Sequence, residues 1–255
     1  MTRAADPNFP NLDFPNLELN KMRSLAGLVL AAALTSTSFA TVIDDFQTDD
    51  LANYTSTVIL QNGVNTASWQ MGSGALTYTT TSYSNVNQVA LIRNGLTLAV
   101  GEELQAPVNR NSGTQDLGLY VGGVQPVTGT RSTYVSVYGR DANQVYSRGF
   151  NGTTELPLAG TTGAAGWDTL FITRTALNDY ELGYYAGPTR TVLTTRTGMT
   201  NNDATYVGVY ADIRSAATLG TMTSISVVPE PTTASLAGAA AIGGLMLRRR
   251  GGRRA

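Results

Sequence analysis

Between Thr41 and Val228 the chain advances almost entirely in steps of two. Thr133-Tyr134-Val135-Ser136-Val137-Tyr138 sends Val135 and Val137 to one side of an extended backbone and both tyrosines to the other. Tyr206-Val207-Gly208-Val209-Tyr210 repeats the arrangement. Further runs of this kind cover Tyr54–Leu60, Ala75–Thr81, Val86–Ile92, Leu117–Val121, Gln144–Phe150, Asp168–Arg174, Tyr180–Tyr185, Arg190–Thr195 and Thr221–Val228. Turn residues separate them, as in Gln61-Asn62-Gly63, Arg93-Asn94-Gly95 and Phe150-Asn151-Gly152. No stretch of this region carries a long amphipathic helical period. About eleven short strands at this spacing predict an all-β, two-sheet antiparallel sandwich of the jelly-roll kind.

The residue inventory then narrows the chemistry. The chain has no cysteine and no histidine, which removes disulfides, thiolate metal sites, the Cys nucleophile and the commonest general base. From Thr41 to Val228 nine arginines face fourteen acidic residues with no lysine, a net charge of −5. An acidic body of this kind argues against nucleic acid as a partner.

Both ends read as instructions to the export machinery. Lys21 and Arg23 precede an apolar run from Leu25 to Leu34, and Ser38-Phe39-Ala40 follows as a small-x-small cleavage site. Residues 22–40 are therefore a signal peptide, cut by signal peptidase between Ala40 and Thr41. Residues 1–21, with the repeat Phe9-Pro10-Asn11-Leu12-Asp13 and Phe14-Pro15-Asn16-Leu17-Glu18, precede Met22 and read as a mis-assigned start or disordered leader. The sandwich domain then spans 41–227.

Residues 228–255 have three parts. Pro229 and Pro231 fix their own φ angles and hold Glu230 in extended backbone. Thr233 to Leu247 forms an apolar segment of fifteen residues, about 22 Å as a helix and so a short transmembrane anchor. Arg248, Arg249 and Arg250, with Arg253 and Arg254, form a cytoplasmic stop. This order resembles the PEP-CTERM sorting signal. The resemblance implies recognition by an exosortase in the inner membrane of a Gram-negative bacterium that makes exopolysaccharide. A membrane-anchored precursor would be cut near Pro229-Glu230-Pro231 and delivered to the cell surface or biofilm matrix.

The body has a second resemblance. Asp44-Asp45-Phe46 opening the mature chain, Leu98-Ala99-Val100-Gly101-Glu102 before a strand, Trp167-Asp168-Thr169-Leu170-Phe171-Ile172 and Val207-Gly208-Val209-Tyr210-Ala211 are similar to concanavalin A-like, laminin-G-like jelly rolls. That resemblance implies a fold common among surface carbohydrate-binding modules. In the fold's glucanases, acids lie at Glu-x-Asp-x-x-Glu spacing along one strand. Glu102-Glu103, Asp116, Glu155 and Asp179-Tyr180-Glu181 do not complete it, so the expectation is a body without catalysis.

Two ligand questions remain. Asp44, Asp45, Asp49 and Asp50, with Asn53, offer oxygens of the type Ca²⁺ takes. The resemblance also implies a carboxylate on the last strand, where this chain has Thr223-Ser224-Ile225, so the expectation is a solvated acidic turn and no cofactor. Tyr134, Tyr138, Tyr184, Tyr206 and Tyr210 could stack on sugar rings, or could simply furnish one face of a sheet. The function expected is a structural or adhesive envelope protein. A carbohydrate-binding module for exopolysaccharide and a degenerate polysaccharide hydrolase are the alternatives.

Overall fold

The computed structural model describes residues 40–109, 116–141 and 143–229. The expected signal peptide before Ala40, Glu230 and Pro231, the expected apolar anchor and Arg248 to Arg250 lie outside the described residues. Among those described, no helix is long and apolar enough to cross a membrane.

The chain runs β1 (Thr41–Asp44), a 3₁₀ turn (Leu51–Asn53), β2 (Tyr54–Gln61), β3 (Thr66–Gly72), β4 (Ala75–Ser82), β5 (Asn87–Arg93), β6 (Glu102–Asn109) and β7 (Asp116–Gly122). It continues through β8 (Tyr134–Asp141), β9 (Gln144–Asn151), β10 (Thr154–Glu155), β11 (Ala159–Thr161), β12 (Thr169–Ala176), β13 (Asp179–Ala186), β14 (Thr189–Arg196), β15 (Tyr206–Ile213), β16 (Thr221–Met222) and β17 (Ile225–Pro229). All strand pairs are antiparallel. Sheet one is ordered β14-β13-β12-β6-β16-β4-β3, with β17 and then β1 also attached along β6. Sheet two is ordered β10-β9-β8-β7-β15-β5-β2, with β11 beside β9. The two-sheet antiparallel sandwich predicted from the alternation is the observed architecture.

The core between the sheets takes every second residue of the central strands. Leu117, Leu119 and Val121 of β7, Val135 and Val137 of β8, and Val207, Val209 and Ala211 of β15 face Leu104, Ala106, Leu170, Ile172 and Leu182 of sheet one. Trp167 fills the space over Gly139, where a Cβ would lie 2.0 Å from its indole ring. Burying such aromatic and branched side chains is the main term that holds a sandwich together.

The run Thr221–Val228 forms two strands rather than one. Pro107 sits inside β6, and its carbonyl accepts the Thr223 N–H at 3.2 Å. In an antiparallel ladder the same residue should also donate on that side, and proline has no N–H. Pairing along β6 accordingly breaks between Gln105, the last partner of β17, and Val108, the first partner of β16. The β17 ladder itself takes in Val228 and Pro229, opposite Glu103 and Glu102.

Candidate functional site

Residues of the opposite parity on sheet two face away from the core, yet they are buried. Register places them in rows. Arg140, Asp116, Asp212 and Gln88 follow one another across β8, β7, β15 and β5. The next outward row reads Tyr146, Tyr138, Gly118, Tyr210 and Ala90, and the one after it Arg148, Ser136, Tyr120, Gly208 and Ile92. Glycines alternate with rings, which leaves room for the rings to lie flat. Tyr120 stacks on Tyr134 with centroids 5.0 Å apart, Tyr134 on Phe150 at 5.5 Å, and Tyr138 meets Tyr210 at 5.3 Å. Ile59, Ala90 and Ile92 complete this second apolar cluster.

A strap explains part of the burial. The Gly129 N–H donates to the Val58 carbonyl at 2.9 Å. Thr55, Ile92, Gly208 and Tyr120 share one row, so Val58 lies three strands and five residues from Gly122. That separation is about 22 Å at ~4.8 Å per strand and ~3.3 Å per residue. The seven residues from 123 to 129 extend at most about 25 Å. They have no slack for a detour round the sheet edge, and the inner face is filled by the core. The 123–129 segment therefore crosses the outer face, and Pro126 in its middle is buried. Gly129, at φ +72°, closes the turn in which the Thr130 N–H bonds the Val127 carbonyl.

Beside the rings lies an ion network. Arg140 clamps Asp116 with Nε to Oδ1 and Nη2 to Oδ2, both at 2.9 Å. Arg214 bridges Asp116 Oδ2 at 3.3 Å and Asp212 Oδ2 at 2.8 Å. Arg148 reaches Asp212 Oδ2 at 3.3 Å and, on its other side, Glu155 Oε1 at 3.3 Å. Burial pushes the Asp116 carboxyl up to about 6, against the pull of Arg140. Burial also raises the Tyr134 and Tyr210 phenols well above their ordinary value, so both hydroxyls keep their protons at neutral pH.

Seven polar atoms on this face are buried without a hydrogen-bond partner: Gln88 Nε2 and Oε1, the hydroxyls of Tyr134, Tyr138 and Tyr210, Asp212 Oδ1, and Arg148 Nε, which has only its ion pair with Glu155. An unmatched buried polar atom costs about 1–3 kcal/mol, so seven on one face are a costly concentration; among the described residues Thr80, Ser147, Arg174, Arg196 and Asn202 each hold one more elsewhere.

Four of the five tyrosines singled out in the sequence come together here. Tyr134, Tyr138 and Tyr210 are buried in the ring cluster, and Tyr206 packs against it half-buried. Tyr184 does not join them: its parity on β13 turns it into the core between the sheets. The sequence reading passed over Gln88, Arg140, Arg148 and Asp212 as site residues, and weighed Asp116 only as part of a glucanase motif. A signal for them was present, because Arg140 lies two residues after Tyr138, Arg148 two after Tyr146, and Asp212 two after Tyr210. Parity alone puts them on the tyrosine face.

The other acidic groups have local duties. Asp44 accepts the Phe46 N–H at 2.9 Å and the Tyr54 hydroxyl at 2.9 Å. Asp45 accepts from the Gln47 N–H, Asp49 from the Leu51 N–H, and Asp50 from the Thr48 hydroxyl. These carboxylates close turns and do not converge, and no cluster of three or more potential metal ligands exists among the described residues. The expectation of a body that folds without metal is tested directly: EDTA should leave the melting temperature within about a degree of its starting value. A drop of several degrees would reveal a bound metal. On the outer face of sheet one, Glu103 accepts from Tyr185, Gln105, Thr173 and Arg190, and Arg190 also holds Glu181. Every polar atom named in that second network is matched.

With this geometry in hand the chain can be compared with known proteins. No protein-family model matches it, and no curated protein matches it in sequence. Solved structures match it in fold. The VIP36 exoplasmic/lumenal domain in its Ca²⁺-bound form has a TM-score of 0.50 at 13% identity, covering 74% of this chain and 89% of that one. Its metal-free form gives 0.50 at 12% identity, covering 74% and 93%. A legume lectin-like domain from Entamoeba histolytica gives 0.50 at 10% identity, covering 69% and 90%. The fold is the legume-lectin-like sandwich. This agrees with the concanavalin A-like resemblance of the body.

Proposed function

We propose that this protein is an exported, non-catalytic β-sandwich that binds a polysaccharide on the outer face of sheet two. The observation that carries the reading is the set of unmatched polar atoms from Gln88, Tyr134, Tyr138, Arg148, Tyr210 and Asp212, which are buried and which a ligand would reach with the 123–129 segment displaced. A sugar offers several hydroxyls that both donate and accept, with an apolar ring face between them, and so matches a floor of phenols, one amide and flat aromatic rings. The legume-lectin-like fold is consistent with it. Catalysis is not favoured: Asp116 has both oxygens held by arginine, and Asp212 has one oxygen held by two. A hydrolytic pair needs one acid free to give its proton and one free to attack or to activate water.

The test is a glycan array probed with full-length protein in mild detergent. Selective retention of polysaccharide fragments is the expected result. A folded protein that retained none would leave the purely structural role.

Delivery is a separate part of the proposal. An exosortase would process the Pro229-Glu230-Pro231 motif after export through the inner membrane, leaving the sandwich at the cell surface or in the extracellular matrix. Replacing all three with alanine restores two backbone N–H groups and lets the apolar helix from Thr233 extend backward. Processing should then stop while export continues, and uncut protein should collect in the inner membrane of a host with its own exosortase. Trimming at the normal rate would sink the sorting assignment.

A further inference from the structure

Charge is spread unevenly along the body. From Leu51 to Ile92 there is no charged residue, so the net charge of −5 between Thr41 and Val228 lies wholly outside β2, β3, β4 and all but the last residue of β5. Two copies of so acidic a body repel one another unless they meet through this neutral side. Its outermost strands are β2 and β3, each at the edge of its own sheet.

The edges differ in how they meet solvent. An open edge strand invites pairing with another chain, and proteins blunt it with bulges, charges, covering segments or shortness. β1, β2 and β14 each carry an extra residue that twists the edge, Ile43, Ile59 and Leu193 respectively. β2 is also capped by the strap through the Val58 carbonyl, and β14 carries Arg190 and Arg196. β10 and β11 are only two and three residues long. β3 has none of these devices. Thr66-Ala67-Ser68-Trp69-Gln70-Met71-Gly72 holds no charge and no proline, and the extra residue in its ladder, Thr81, belongs to β4.

Register identifies the open groups. Ser73 at φ +54° and Gly74 at φ +76° close a two-residue turn of the type I′ kind. Gly72 therefore bonds Ala75, and in alternation Gln70 bonds Thr77 and Ser68 bonds Thr79. The far side of β4 agrees: the Tyr78 carbonyl takes the Leu219 N–H at 2.8 Å, and the Thr80 N–H goes to the Ala217 carbonyl at 2.9 Å. The N–H and C=O groups of Ala67, Trp69 and Met71 thus point outward, and among the described residues no backbone group bonds them. The 51–53 turn lies near β3, but its Leu51 packs against the core and none of its backbone groups bonds that row.

We propose that β3 is a self-association edge, at which two copies of this chain pair β3 to β3, antiparallel, about a twofold axis at Trp69. Trp69 of one copy then faces Trp69 of the other, and Ala67 faces Met71, each pair exchanging both of its backbone hydrogen bonds. Ser68 meets Gln70, a neutral polar pair. The acidic stretch from Asp45 to Asp50 meets β3 at its Gly72 end, where the Gln47 carbonyl accepts the Ser73 N–H at 3.3 Å. The twofold sends the acids of the two copies to opposite ends of the junction, each toward the uncharged 62–65 loop of the other copy.

The test uses full-length protein in mild detergent, measured by sedimentation equilibrium at about 100 μM, where a micromolar Kd leaves mostly dimer. The parent should be a dimer. Ala67→Pro removes an N–H that points to solvent in a single copy, so the variant should melt near the parent's temperature. Its dimer Kd should rise about tenfold or more, the scale of two lost hydrogen bonds. Ser68→Asp, at an exposed position, should weaken the dimer likewise by bringing one more acid from each copy to the junction, even if Ala67→Pro fails to fold. Oxidative cross-linking reads the register, because the chain has no cysteine of its own. Ser68→Cys mixed with Gln70→Cys should give a disulfide-linked pair, since these positions face each other at about 4.5 Å between Cα atoms. Neither variant should link to itself, because like positions lie about 8 Å apart. A monomeric parent, a dimer that neither substitution weakens, or either cysteine variant linking to itself as fast as the mixture links would overturn the proposal.

Discussion

Asp116→Ala should destabilise the protein by about 3–5 kcal/mol at pH 7, the scale of removing one partner from a buried ion pair. The side chain is 0% exposed and holds Arg140 through two bonds and Arg214 through a third. Alanine leaves a gap where the carboxylate that paired with those guanidinium groups stood. Asp116→Asn keeps the shape and one acceptor, so it should cost less. It should also change the pH dependence. The folded carboxyl titrates near 6, above its ordinary 3.8, because burial penalises its charge. Folding therefore takes up a proton between about pH 4 and pH 6, so the stability this group contributes is fully present below about 4 and lost as pH rises through 6. Asparagine has no proton to exchange, and the variant should lose that slope. Urea titrations of both variants at pH 4.5 and pH 7 measure the two effects. An alanine variant as stable as the parent would mean that the network does not hold this face together.

The alternation of residues such as Val135, Val137, Val207 and Val209 was enough to read the sandwich, because a period of two leaves only one way to bury them. The strands it missed are those where alternation is masked. β6 contains Pro107, which argues against a central strand, and β3 mixes Thr, Ser and Gln with Trp69. The site was legible only in half. Parity collected Tyr134, Tyr138, Tyr206 and Tyr210 on one face, but single-strand parity does not say which of a sheet's two faces is the core. Tyr184 went astray for that reason. Nor does the sequence show that an outward face is covered. That depends on the 123–129 strap reaching the edge of β2, a contact between residues about seventy positions apart. Asp116 and Asp212 were unremarkable along the chain, and they became neighbours only through the β7–β15 register.

Removing the hydroxyls of Tyr134 and Tyr210 should separate binding from folding. Both rings are buried, 1% and 0% exposed, and neither hydroxyl has a partner. In most proteins a Tyr→Phe change in a buried position costs stability, because it breaks a hydrogen bond. In this protein there is no bond to break, and the change removes a desolvated polar atom while keeping the ring contacts at 5.0, 5.5 and 6.3 Å that Tyr134 makes with Tyr120, Phe150 and Tyr210. The double variant Tyr134→Phe, Tyr210→Phe should therefore melt at or slightly above the parent's temperature. Its affinity for the retained polysaccharide should fall about tenfold or more, because a site built to hydrogen-bond loses two partners at once. If the hydroxyls were merely tolerated defects of packing, stability would rise and affinity would not change. If they were bound to neighbours through ordered water with no role for a ligand, the melting temperature would fall and affinity would again be untouched. Only a loss of binding without a loss of stability is the signature of hydroxyls held in reserve for a ligand.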